Sequence, residues 1–208
     1  MADVAGAPIA AALSLGIALA SAPGPVQAVL LGEAIKGGVG RGLRAQAGAV
    51  MTFGVMLLAL ALGISLAPPS ETLVRVLKIV GGLLLLWLAW EGLRGRNDPL
   101  EASTERRQLP PVVRGVLAII LNPGAWLFLA AVASPLIASA TQDGGRSSGL
   151  LAAGALLLGA SLGDLAVVLL GGMGIRRAGE RARRWVRTGL GAVLAGLGVW
   201  LLVQGLIS

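Results

Sequence analysis

The spacing of ionisable residues constrains this chain more than any other feature. Residues 4–32, 45–70, 115–142 and 188–208 contain none, and residues 147–175 contain only Asp164. A helix that crosses a bilayer needs about 20 mainly apolar residues, so these are five clear spans. A sixth is placed at 74–94. Its charge-free core is only 79–90, so Arg75 and Lys78 must reach towards one interface while Glu91 sits near the other. The weak span decides the topology, because six crossings put both chain ends on one side and five put them on opposite sides. With six, the loops 33–46, 94–114 and 173–187 share a side and hold 14 of the 17 Lys and Arg. The positive-inside bias then places those loops in the cytoplasm and both termini outside.

Composition removes many alternatives. The chain has no Cys and no His, which excludes disulfides, thiolate or imidazole metal sites and Ser/His or Cys/His catalysis. No enzyme is expected, no cofactor, and no metal site, since Asp164 alone cannot form a multi-carboxylate cage. The net charge of +7 is mostly topological. A nucleic-acid partner would require a soluble basic face with stacking aromatics, and neither is present. Six Arg between Arg176 and Arg187 are explained by topology, with anionic lipid headgroups as a further partner. Ala20-Ser21-Ala22 has the form of a signal cleavage site, but residues 1–6 carry an Asp and no basic residue, so cleavage is not expected.

Three spans, a basic linker and three more spans outline an inverted-topology repeat of the kind common in secondary transporters. The expected fold is therefore an all-α integral membrane protein, one domain over 1–208, with repeat 1 at 4–94, a cytoplasmic linker at 95–112 and repeat 2 at 113–208. Trp87-Leu88 recurs as Trp200-Leu201, and Ala47-Gly48-Ala49 as Ala153-Gly154-Ala155, though such matches arise easily in Leu/Ala/Gly-rich helices. More telling, the first span of each half is broken at Pro and Gly, by Ala22-Pro23-Gly24-Pro25 in one and Leu121-Asn122-Pro123-Gly124 in the other. Each Pro removes a backbone donor and frees a carbonyl. Free backbone groups persist in hydrocarbon only where they line a cavity or pack against protein. Paired breaks point to a substrate site built from Pro23, Gly24, Pro25, Gln27, Asn122, Pro123 and Gly124; simple proline kinks are the alternative.

Pro23-Gly24-Pro25, the loop Gly37-Gly38-Val39-Gly40-Arg41-Gly42 with Gly48, Leu77-Lys78 with Gly81, Gly92-Leu93-Arg94, Leu121-Asn122-Pro123 and Ser134-Pro135 together resemble the LysE/RhtB family of exporters. The resemblance runs from the first span to the sixth. It implies a bacterial inner-membrane secondary transporter that exports amino acids or related metabolites, driven by the proton gradient. Many members place Asn after Pro-Gly-Pro and a Tyr in the third span. Here Val26 follows and Tyr is absent, which removes polar groups near the implied site.

Proton coupling needs a titratable group inside the membrane, and Asp164 is the one carboxylate within a clear span. The alternative is a structural carboxylate bonded to backbone. Glu33 and Glu91 fall at the cytoplasmic boundary, where charge costs little, and both are read as surface or gate-side charges rather than coupling sites, with Glu33 kept as a candidate accessory to the site. Ser21, Thr52 and Ser161 could add hydroxyls, or bond their own helix backbone. Another small solute or ion as cargo, or a non-transporting scaffold, remain alternatives. Oligomeric state is open, with a homo-oligomer as one partner arrangement.

Overall fold

The computed structural model describes the backbone of residues 3–21, 24–63, 71–94, 109–174 and 180–207. Every element in these segments is helical: α1 (Asp3–Ser21), α2 (Pro25–Ala61), α3 (Glu71–Arg94), α4 (Pro111–Ile120), α5 (Pro123–Phe128), α6 (Ser134–Leu169) and α7 (Glu180–Ile207). Five-residue π-helical pieces, Leu129–Ala133 and Leu170–Gly174, join α5 to α6 and extend α6. Helix is what an Ala/Leu-rich chain must form in hydrocarbon, because it satisfies backbone groups within the segment. Pro25–Ala61, Glu71–Trp90 and Pro123–Met173 are long and apolar enough to cross a membrane, and Ile9–Ser21, Pro111–Ile120 and Gly191–Ile207 are shorter apolar helices. Large apolar side chains face outwards, Met51 and Val55 at 67% exposure and Leu170 at 73%, the reverse of a water-soluble surface.

Two of the long helices are folded back on themselves. In α2 the turn is Gly37 (φ −133°, ψ 16°) and Gly38 (φ 78°, ψ −176°); in α6 it is Gly144 (φ −135°, ψ 15°) and Gly145 (φ 75°, ψ −178°). The second residue of each pair occupies a backbone region that is essentially glycine-only. Eight residues of straight helix span about 12 Å. Here a Cβ on Gly42 would lie 2.9 Å from that of Ala34, and one on Gly149 would lie 3.3 Å from that of Thr141. Each long helix is thus two antiparallel arms, and the loop expected at 33–46 contracts to a two-glycine turn.

Packing between elements depends on small residues, as expected where lipid removes the hydrophobic drive between helices. The helix α1 lies along the second arm of α6, and α4 along the second arm of α2. A Cβ on Gly16 would collide with the Leu156 carbonyl oxygen, and one on Gly159 with the Leu13 carbonyl oxygen. The other pair repeats this in register: Gly115 meets the Ala45 carbonyl oxygen and Gly48 that of Val112. So Leu13 and Gly16 match Val112 and Gly115, while Ala45 and Gly48 match Leu156 and Gly159. Pairing Gly48 with Gly154, as the sequence motif suggests, is not the register in which these helices pack: Gly154 faces open space, because the motif repeats composition rather than contact. Helices α3 and α7 cross at Gly82 and Gly198, each against the other's carbonyl oxygen. Arg75 Nε donates to the Gly205 carbonyl oxygen at 2.9 Å, and Lys78 Nζ to Gln204 Oε1 at 3.3 Å. The two cations of the weak third span therefore serve the C-terminal end of α7, where helix carbonyls favour positive charge.

Candidate functional site

Both expected breaks are present, and proline makes each. The residue before a proline is pushed out of the helical region. Gly24 (φ −160°, ψ −178°) precedes Pro25, and Asn122 (φ −92°, ψ 104°) precedes Pro123, and each proline opens the next helix at its first position. At the second break the freed groups find partners. Asn122 Oδ1 accepts from the Gly124 amide at 3.0 Å, the Asn122 carbonyl accepts from the Ala125 amide at 3.0 Å, and Trp126 Nε1 donates to the Ile120 carbonyl oxygen at 2.8 Å. In an unbroken helix that last carbonyl would receive the residue 124 amide, so the indole replaces a lost backbone bond.

The two breaks face one cavity of about 230 Å³. Gly24, Pro25 and Gln27 line it from the first, Asn122 and Gly124 from the second, and Ser161 and Asp164 from the second arm of α6. Apolar side chains, among them Val26, Phe53, Ile119 and Leu157, make most of the remaining wall. Asp164 is buried at 7% exposure, and Gln27 Nε2 donates to its Oδ1 at 3.3 Å. It is the one ionisable residue lining this cavity among the described residues. A larger open apolar groove beside it, bounded by α1, α2, α6 and α7, shares Ala20, Gly24 and Gln27 with the cavity wall.

The other sequence candidates separate from this group. Pro23 lies outside the described residues, and Pro123 is buried behind the cavity wall. The hydroxyls of Ser21, Thr52 and Ser161 donate to the carbonyls of Ile17, Gly48 and Leu157, each four residues back on its own helix. Of the three only Ser161 lines the cavity. Residues 175–179 and the side chains of Glu91 and of 180–187 lie outside the described residues, and with them the Arg176–Arg187 cluster.

Glu33 does not line the cavity, and it is buried rather than solvated. It is 2% exposed and receives Arg114 Nη1 at 3.1 Å and Arg41 Nε at 2.6 Å, with Lys36 Nζ at 4.0 Å. Arg114 is itself 1% exposed, donates through Nε to the Leu109 carbonyl oxygen at 3.0 Å, and lies 5.4 Å from the Trp87 ring centroid. One carboxylate thus ties the first arm of α2 to its second arm across the glycine turn and to the start of α4. Sequence reasoning counted Arg41 and Arg114 among the topology markers, and Arg41 within the glycine-rich loop motif, without pairing either with Glu33. The signal that could have paired them with Glu33 is their common predicted depth, each within a few residues of a span end. Gln46 was also missed: buried at 7% exposure, it donates to the Ser161 carbonyl oxygen at 2.8 Å, one turn before Asp164.

Against known proteins, the model of a family described as LysE type translocator matches residues 17–205. No curated protein and no solved structure matches the chain.

Proposed function

The chain belongs to the LysE type translocator family, a family of membrane exporters of small solutes, and from that premise we propose that it is a proton-driven secondary exporter of amino acids or related small metabolites, working by alternating access. The observation that carries this reading is the meeting of both helix breaks and Asp164 around one cavity. Broken helices in corresponding positions of two halves are the usual way a transporter builds a midplane site. An acid in such a place marks an ion or substrate pathway more often than a structural contact.

Six spans arranged as two inverted three-helix repeats are supported by the equivalent glycine turns and by the exchanged contacts of Gly16 with Leu156 and of Gly115 with Ala45. With the basic loops in the cytoplasm of a bacterial inner membrane, the Glu33 ion pairs lie on the cytoplasmic side of the cavity and hold that side shut. Cargo enters from the cytoplasm when they part, and leaves outside as a proton is taken up. Purified protein in proteoliposomes tests this: an imposed pH gradient drives saturable efflux of an amino-acid mixture, and Asp164→Asn uncouples efflux from the gradient. Efflux by Asp164→Asn with unchanged pH dependence removes the coupling role. No gradient-driven flux of any solute removes the exporter reading.

A further inference from the structure

The chemistry of the cavity wall says more about the cargo than the family does. Among the described residues the wall has one charge, the Asp164 carboxylate, and no Lys or Arg within it. Arg41 and Arg114 are not in the wall and pair with Glu33 instead. Amide protons at half-helix starts often serve as an anion site, but at the second break they are used up. Pro25 and Pro123 have none, and at α5 the next two, of Gly124 and Ala125, already donate to Asn122. A carboxylate group brought into this space would find a like charge and no cation, with only neutral amides such as those of Gln27 and Asn122 to receive it. A cation would find Asp164, whose Oδ1 has one neutral partner, Gln27, at 3.3 Å, with Ser161 and Asn122 also in a wall that is otherwise mostly apolar. A buried unpaired carboxylate is costly, and two things neutralise it: a proton or a positively charged ligand.

We propose that the cavity takes a compact, carboxylate-free organic cation, an amine with a short branched or linear apolar body, and that its ammonium group and a proton exclude one another at Asp164. Loading converts the neutral carboxylic acid to a carboxylate paired with the ammonium, and one proton leaves to water on the open side. Unloading on the other side reverses this, so each amine is exchanged for one proton. The proposal rests on the exporter reading and narrows its cargo from amino acids to the related amines that lack a carboxylate.

Two probes that share an isobutyl tail separate the possibilities: isoamylamine, which has an ammonium and no carboxylate, and isocaproate, which has the reverse. Binding to purified full-length protein in detergent is followed by calorimetry and by proton release in weakly buffered solution. Isoamylamine binds with release of about one proton per molecule in the acid range, and there its affinity rises about tenfold per pH unit, as one-for-one competition requires. Asp164→Asn abolishes the release and weakens binding more than tenfold, whereas Asp164→Glu retains the release; cooperative thermal melts show that both variants are folded. Preference for isocaproate overturns the proposal, as does isoamylamine binding without proton release or with Asn in place of Asp164, and so does a folded protein that binds neither probe. Gradient-driven flux of leucine or isocaproate without isoamylamine leaves the exporter standing and removes the cation. Isoamylamine binding with proton release but no flux of any solute does the opposite.

Discussion

Glu33 and Arg114 show how different a charge is when its surroundings are known. At the level of sequence both sit at span ends, where charges are cheap, and nothing in their spacing distinguishes them from solvated boundary residues. In the fold they are 2% and 1% exposed and joined at 3.1 Å. Removing one partner of a buried pair strands the other, at a cost of about 3–5 kcal/mol. Glu33→Gln is therefore expected to lower stability by about that amount in denaturant melts of the purified protein. Adding Arg114→Met recovers part of the loss, because no unpaired charge is left at that position. Equal losses in the single and double variants would show that Arg41 alone holds Glu33. Asp164, by contrast, was legible from sequence, since a lone acid in 29 residues otherwise free of charge needs no structure to stand out. Trp126 was not: its indole bond to the Ile120 carbonyl oxygen depends on how the break bends, which no periodicity encodes. Trp126→Phe keeps the ring and leaves that carbonyl without its donor, so a loss of about 1–3 kcal/mol is expected in the same melts.

Helices and their breaks were readable because proline acts locally: it reshapes the residue before it wherever it occurs. The glycine turns were harder. Gly37-Gly38 falls in the loop expected at 33–46 and Gly144-Gly145 between two expected spans, and the tightness of each turn shows only in the positive φ of its second residue. Gly38→Ala or Gly145→Ala forces a side chain into that backbone region, at about 1–3 kcal/mol each, and the same melts measure it. Close packing gives a paired test. Gly159→Ala drives a methyl into the Leu13 carbonyl oxygen and is expected to separate α1 from α6, with loss of the monodisperse purified protein. Gly154→Ala meets nothing within 4 Å and is expected to be neutral or slightly stabilising. The sequence motif that paired Gly48 with Gly154 would assign the sensitive position wrongly. Contact between helices far apart in the chain cannot be inferred from composition that nearly every span shares.

At the scale of the molecule, the absence of Cys makes the topology directly measurable. Single cysteines placed at Ala2 and Ser208 are expected to react with an impermeant maleimide added to intact cells, and one at Arg106 only after the membrane is opened. Labelling of Ala2 and Ser208 from opposite sides would reduce the spans to an odd number. The exchanged packing of α1 on α6 and of α4 on α2 also bears on how such a protein is made. The partner of Gly16 is Leu156, some 140 residues later, so α1 emerges from the ribosome long before the surface that receives it exists. The surface for α1 lies on α6 and the surface for α4 on α2, each in a distant part of the chain. During synthesis the first helix must wait in the bilayer or against the insertion machinery, and assembly closes only when the second arm of α6 arrives. A chain truncated before that arm is expected to be degraded rather than to persist, because it lacks the surface against which α1 packs.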